Sequence, residues 1–407
     1  MQRLFAVPGR DDWMVTQTTD RGSVFDVGAL FEIPGHDVNR AVFRHVLYSR
    51  MGTPELWQQV QSAIEAENPN SSLLEGPLEE WAMSGALTHH EGMLDAVSGE
   101  VISQGLPTNP SAYNIVRRFQ ILKPERCDVL GQSLFDYTPY SGQDGFVVPL
   151  EYIVRFGITS ASSVYKKYLA MDAQARQNFE QELGATKPLE AWQYLENPIS
   201  DFTTKFEPED RMVSKQEGLV ISCLTGQQFA DSAKMAVLGA WAVRLLIGSM
   251  GLRMWDIKWE FAVENQQLYF VDTIDTDSFR GTLELEFDGR RFVNHYNKQA
   301  MRDYYTVLHS DWIDAIKDAK SRAVGAGVPF TEILADGQRS ESYAQTPEVA
   351  PEFLQIQEQK MSTIRDCILG KVEPSDAETA LRETGQQEIA FYQQQGQLDA
   401  FAKLNGI

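Results

Sequence analysis

The chain has 407 residues, 36 Lys and Arg against 57 Asp and Glu, a formal net charge of −21, 43% hydrophobic residues and three cysteines. The length suits two or three packed units and the apolar share suits a buried core, which excludes disorder and fibrous repeats. The acidic excess makes nucleic acid and anionic membranes poor partners. Cys127, Cys223 and Cys367 lie far apart in no CxxC spacing, so neither a disulfide framework nor a zinc knuckle is expected. They are expected in the interior of a cytoplasmic protein. The start, Met1 to Ala6, has no apolar stretch of secretory-signal length, and the most apolar window, Met235–Met250, contains Arg244 and falls short of a membrane span.

Trp13–Thr16 and Thr18–Val27 read as strands, followed by a turn at Ile33–Asp37. Val42, Val46 and Leu47 then share one face of a helix entered after Asp37. The polar stretch of about 53–143, with loop signals at Asn68-Pro69 and Pro107–Pro110, reads as an insertion of helices and loops. Gly145–Arg155 reads as a strong strand with Glu151 and Arg155 on one face. Gly226–Gly251 has helical spacing in Phe229, Ala233, Ala236, Val237, Ala240, Trp241 and Leu245, with Gly251 as the cap. Two strands follow, Arg253–Phe261 and Gln267–Asp272, and the chain is helical after Gln299. From about Ser340 it turns polar and Gln-rich, a surface extension with no chemistry of its own. The expected division is 1–145, 146–340 and 341–407.

The chemistry concentrates in the hairpin. Asp256, Lys258 and Glu260 alternate with Ile257, Trp259 and Phe261, so a strand puts three charges on one face and three apolar groups in the core. Asp272 ends the partner strand, and Asp275, Asp277 and Arg280 follow. Hard oxygen ligands beside a Lys and an Arg suit Mg²⁺ and the phosphates that accompany it. A solvated sheet face with ordinary ion pairs is the bland alternative. His89-His90-Glu91 has some metal-ligand character, though paired surface histidines are common. No GxSxG or GxxxxGK[ST] occurs.

Trp255–Phe261 with Val271–Arg280 resembles the "D-F-K-x-E-F-G" and "D-E-x-x-P-D-x-x-R" hairpin of SAICAR synthetase (phosphoribosylaminoimidazole-succinocarboxamide synthase). Thr19–Val27 is similar to that family's "TDRISAFDV", and Ile33–Asp37 with Asn39 to its "IPGKG…N". Pro149–Arg155 with Gly157–Ser163 is similar to "PvEvVVRgyitGS". Phe202–Glu207, Asp210 and Ser214 are similar to "TPsTKaE…HDeNIS", and Tyr296–Gln299 with Arg302-Asp303 to "yDKQ…RD". These six matches are collinear over roughly residues 4–305.

The resemblance implies an α+β fold of two lobes, an antiparallel-sheet N-terminal lobe and an ATP site between the lobes. It implies an ATP-dependent ligase that activates a carboxylate as an acyl phosphate, which an amino-acid amine attacks to give an amide. By carry-over, Glu260 and Asp272 would hold Mg²⁺ and the ATP phosphates, with Lys258 beside them. Arg155, Ser160, Ser162 and Ser163 would lie in the nucleotide-substrate pocket, and Lys205, Asp210, Asp256 and Arg280 on the acceptor side. Lys258, Asp256 and Arg280 are the catalytic candidates; Arg21, Ser23, His36, Asp277 and Lys298 join the substrate contacts through their motifs.

Departures from the family pattern accompany the matches. The family's Gly-Lys-x-Arg hairpin has no counterpart in Met1-Gln2-Arg3, and Arg3 or Arg10 would substitute only in part. His36 stands in place of Lys, Asp37 in place of Gly, and Thr273 in place of an acidic residue. Ser or Ala replaces the Gly of Gly-Ser, adding a side chain beside the ligand. The expectation is therefore a ligase acting on a divergent substrate, with small-molecule partners and homo-oligomerisation left open. The purine-pathway reaction of carboxyaminoimidazole ribonucleotide with aspartate is the second reading. A non-catalytic ligand-binding protein on the same fold is the third.

Overall fold

The computed structural model describes residues 2–183, 185–207, 210–326 and 328–407; Met1, part of the N-terminal expectation, lies outside them. Two antiparallel sheets organise the chain. The first has the order Gln2–Val7, Arg10–Thr18, Tyr113–Arg117, His90–Leu94, Val101–Ile102. The second runs Met212–Val213, Gln193–Thr204, Leu150–Ile158, Arg253–Glu264, Phe279–Phe287, Arg290–His295. Phe146–Val147 and Gln267–Val271 pair with the far half of Arg253–Glu264. This is the mixed α+β architecture expected.

The expected strand at 145–155 breaks at Val148-Pro149, because proline has no N–H to give the ladder. The tight hairpin after Arg253–Glu264 turns through Asn265 and Gln266, both left-handed at φ 52° and 64°, which matches the twist of the flanking strands. The strand expected to reach Val27 stops at Gly22. Phe25 and Asp26 take φ of 61° and 65°, which no strand accommodates, and Phe25 packs edge-on against Tyr305 and Trp312. Within 53–143, the helices Pro54–Glu67 and Pro77–Ser84 are joined by strands His90–Leu94 and Tyr113–Arg117 of the first sheet. Tyr113–Arg117 pairs with Arg10–Thr18 far earlier in the chain and with His90–Leu94, whose other partner is Val101–Ile102, so local periodicity does not mark them.

Gly226–Gly248 is helical, opened by a capping box between Thr225 and Gln228. Its apolar residues cover the back of the second sheet, where Gly239 lets the helix approach Trp259 and Phe270: a Cβ there would lie 2.8 Å from both rings. Trp259 is fully buried, its ring 5.1 Å from that of Phe270. Trp259→Ala is expected to lower the unfolding free energy by about 3–5 kcal/mol, read from urea denaturation, since the cavity cannot collapse around a sheet centre. Among the described residues no helix is long and apolar enough to cross a membrane.

Helix His36–Met51 lies between the first sheet and helix Pro351–Ile368. The chain after 341 carries the helices Pro351–Ile368, Pro374–Gln394 and Leu398–Asn405. It is not peripheral: Gly385 packs against Leu285 and Tyr296, and the fully buried Lys360 pairs with Glu388 and donates to the His295 carbonyl at 2.9 Å.

Candidate active site

Period-2 alternation places one charged face on the second sheet. Asp256 and Glu260 point to the side opposite Ile257, Trp259 and Phe261, which are buried. Arg155 is the direct neighbour of Asp256 on one side and Arg280 on the other. Glu151 faces Thr203, and Lys258 faces Ile153. The face therefore gathers Glu151, Arg155, Asp201, Thr203, Asp256, Lys258, Glu260 and Arg280 from four strands, with Lys205 just beyond the end of Gln193–Thr204.

Two groups divide it. In the first, Lys258 Nζ lies 2.5 Å from Glu151 Oε1, 3.0 Å from Glu260 Oε1 and 4.0 Å from Asp272 Oδ2. Lys205 also pairs with Glu260, and Thr203 Oγ1 donates to Glu151 at 3.2 Å. Burial, with the Asp272 charge beside it, pushes the Glu260 carboxyl up to about 8 against the pull of both lysines. Asp272 moves the other way. Burial opposes its charge, but its hydrogen bond with Glu260 and the lysines Lys258 and Lys205 hold it well below the usual carboxylate range. Burial would likewise discharge Lys258, but Glu260, Glu151 and Asp272 outweigh it and hold the ammonium above its ordinary value. Two carboxyls so close that one retains a proton form a hard-oxygen pair short of positive charge, which fits a divalent cation such as Mg²⁺.

In the second group, the buried Arg155 donates from Nε to Asp201 at 2.6 Å and from Nη1 to Asp256 at 3.3 Å. Arg280 Nη1 donates to the same Asp256 oxygen. Arg155 is thus held between two carboxylates, and Asp256 joins the two guanidiniums.

The acidic loop after Asp272 is committed elsewhere. Asp275 is fully buried and accepts from Arg40 Nε at 3.0 Å and Arg44 Nη2 at 3.2 Å. Asp277 lies 3.5 Å from Arg40 Nη2 and 3.8 Å from His36 Nε2. Burial opposes the Asp277 charge, but Arg40 and His36 hold it far below the ordinary range. Arg40 and Arg44 stand one helical turn apart on His36–Met51, and nothing in the local sequence announced them. His36 is buried; with Asp277 and Lys298 it lines a small pocket, where burial lowers the Lys298 pKa.

A cavity of about 240 Å³ opens between the two sheets, lined by Leu4, Met14, Val116 and Phe119 on one side and Lys205, Glu260 and Asp272 at its end. Asp210 lies near the first group, where desolvation and the Glu151 charge push its carboxyl up. Ser160 and Ser163 line a separate cavity with Arg280; Ser162 is buried at the start of helix Ser163–Ala170. Arg21 pairs with Glu32 on the surface at 2.9 Å, Ser23 is half-buried beyond it, and Arg3 and Arg10 are exposed.

Cys127 and Cys223 are exposed and only Cys367 is buried, so the expectation of interior cysteines holds for one of three. Cys127 sits on the exposed hairpin Glu125–Val129 and Gln132–Asp136, whose solvated strands a composition count does not reveal. His89 and His90 are also interior. His90 Nε2 shares a hydrogen bond with His45 Nδ1 at 2.9 Å, and His45 Nε2 lies 3.1 Å from the Gly105 carbonyl. Among the described residues no group of three or more His, Cys, Asp or Glu is arranged to hold a metal. Burial pushes His45 and His89 down to about 4, so both are neutral in the fold and charge on unfolding below about 6.5. Their contribution is present above that pH and lost as pH falls toward 4. Unfolding free energy is expected to drop by about 2 kcal/mol per histidine between pH 7.5 and 5, and His45→Gln should flatten that slope in denaturant titrations.

Comparison with known proteins agrees with this geometry. The SAICAR synthetase family model matches residues 141–319, the stretch carrying the charged face. The chain is 28% identical over 261 residues to the provisionally named phosphoribosylaminoimidazole-succinocarboxamide synthase of Archaeoglobus fulgidus, covering 62% of this chain and 71% of that one. It is 29% identical over 202 residues to the phosphoribosylaminoimidazole-succinocarboxamide synthase of Thermoplasma acidophilum, covering 47% and 61%. The SAICAR synthase of Saccharomyces cerevisiae complexed with SAICAR is similar at 16% identity and a TM-score of 0.48, over 91% of this chain and 92% of that one. The matched span, the curated relatives and the residues of the charged face agree: over residues 141–319 and beyond, the chain is similar to the SAICAR synthetase family.

Proposed function

We infer that the chain joins a carboxylate to an amino-acid amine at the expense of ATP, through an acyl phosphate, on a substrate that differs from that of its relatives. The observation that carries the ligase reading is the first charge group, in which Lys258 and Lys205 meet Glu151, Glu260 and Asp272 at the end of the cavity between the sheets.

In this reading the apolar wall of Leu4, Met14, Val116 and Phe119 takes the base of ATP, and the phosphates extend toward Lys205 and Lys258. Glu260 and Asp272 would hold Mg²⁺, which supplies charge neutralisation on the phosphates. A substrate carboxylate oxygen attacks the γ-phosphorus, the bond to the bridging oxygen breaks, and ADP leaves. The amine nitrogen then attacks the acyl carbon, the bond to the phosphate oxygen breaks, phosphate departs with the electron pair and the nitrogen gives up a proton. Lys258 stabilises the negative charge that develops on the transferring group. Arg280, oriented by Asp256, recognises the substrate carboxylate, and Arg155 positions Asp256. Lys205, Asp210, Ser160, Ser162 and Ser163 complete the pocket, and His36, Asp277, Lys298, Arg21 and Ser23 belong to its periphery.

The altered substrate is supported by Ser160-Ala161-Ser162 in place of Gly-Ser. The second reading, carboxyaminoimidazole ribonucleotide plus aspartate, is favoured by the retained Asp256, Lys258, Glu260, Asp272 and Arg280. Phosphate release from Mg·ATP, first with that pair and then with panels of other carboxylates and amines, separates the two. Turnover restricted to other pairs supports the altered substrate; turnover with the named pair at a normal rate overturns it. No turnover with any pair, together with no calorimetric ATP binding, overturns both.

A further inference from the structure

The polar C-terminal extension reaches the substrate side of the site. A cavity of about 480 Å³ is lined by Ser160, Lys166, Arg280, Arg302, Lys403 and Asn405, so its wall combines the charged face with the last helix. That helix is fastened in place. Ser160 Oγ donates to the Leu404 carbonyl at 2.8 Å. The buried Asn405 donates to Asp303 Oδ2 at 3.0 Å, and Phe401 stacks on Tyr392 at 4.3 Å and on Phe292 at 5.8 Å.

The lining is short of negative charge. Among the described residues Lys166, Arg302 and Lys403 form no ion pair, and the buried Nε of Arg280 has no hydrogen-bond partner. The lining's one carboxylate, Asp303, is taken up by Gln299 at 2.9 Å and by Asn405. Four cations around one cavity, only Arg280 of them paired, repel one another until an anion enters. A dianionic phosphate monoester offers the charge and the acceptor oxygens that this set lacks.

We propose that helix Leu398–Asn405 is a wall of the substrate pocket and that Lys403 is a specificity-determining residue, receiving the phosphate end of the carboxylate substrate. This rests on the ligase reading for its account of the substrate, but its test does not need turnover. Lys403 is exposed on a helix end and forms no hydrogen bond or ion pair among the described residues, so its replacement is expected to leave the fold intact.

The test is calorimetric titration of the full chain, wild type, Lys403→Ala and Lys403→Glu, with ribose 5-phosphate, with succinate as a carboxylate probe, and separately with Mg·ATP. Wild type is expected to bind ribose 5-phosphate, Lys403→Glu to weaken it by about tenfold or more, and Lys403→Ala by less. Mg·ATP affinity should be the same in all three proteins. Where turnover is measurable, the loss falls on KM for the carboxylate substrate and not on KM for ATP. Equal ribose 5-phosphate binding in all three proteins, no binding by wild type, or a Lys403 dependence seen with succinate alone overturns the proposal. Failure of Mg·ATP to bind while ribose 5-phosphate binds in a Lys403-dependent way overturns the ligase reading and leaves this one standing.

Discussion

Lys258→Ala is expected to reduce kcat by about 10²–10³-fold, the cost of removing a cation placed where negative charge develops on a transferred phosphoryl group. The ammonium stands between Glu151, Glu260 and Asp272. Its removal leaves three carboxyl groups facing incoming phosphates with Lys205 as the one remaining cation of the group. The fold is expected to persist, because the side chain is partly exposed and the strand is held from its other face by Trp259 and Phe261. Phosphate release in a steady-state assay measures the effect, with thermal unfolding as the control for folding. A near-normal rate in a folded Lys258→Ala protein would place the chemistry elsewhere.

Asp272→Asn tests the paired carboxyls. Asp272 has a left-handed φ of 70°, a conformation that Asn tolerates and Ala does not, so Asn removes the charge while keeping the backbone. The substitution deprives Glu260 of its partner, and in the proposed site it would deprive a bound cation of one of two hard oxygen ligands. Binding of ADP in the presence of Mg²⁺ is expected to weaken by about 10²-fold, while the weaker binding measured in chelator stays as in wild type. An Asp272→Asn protein whose nucleotide affinity still rises with Mg²⁺ as wild type does would remove Asp272 from the metal site.

The site was legible where one strand carries it. The alternation of Asp256, Lys258 and Glu260 with Ile257, Trp259 and Phe261 fixes which side chains share a face, and Glu151 with Arg155 follows by the same period. What the local sequence does not carry is pairing between distant elements. Asp275 and Asp277 read as further hard ligands of the acidic hairpin, yet Arg40 and Arg44 take up Asp275, and Arg40 and His36 approach Asp277, from a helix more than 200 residues earlier. Asp201, which holds Arg155, had no motif to announce it. The strands His90–Leu94 and Tyr113–Arg117 escaped for the same reason: a short polar segment becomes a strand through its neighbours. The C-terminal extension was read as polar surface. Its contact with Ser160 was not legible, because composition says nothing about where a helix docks.

Glu260 and Asp272, at the end of the cavity between the two sheets, are proposed to form the metal–nucleotide site of an ATP-dependent ligase. Crystals grown with Mn²⁺ and a non-hydrolysable ATP analogue test it most directly through the anomalous signal of the metal. An anomalous peak coordinated by Glu260 and Asp272 is expected, with the nucleotide base against Leu4, Met14 and Val116 and its phosphates toward Lys258. A metal away from both carboxylates, or a nucleotide seated outside this cavity, would contradict it.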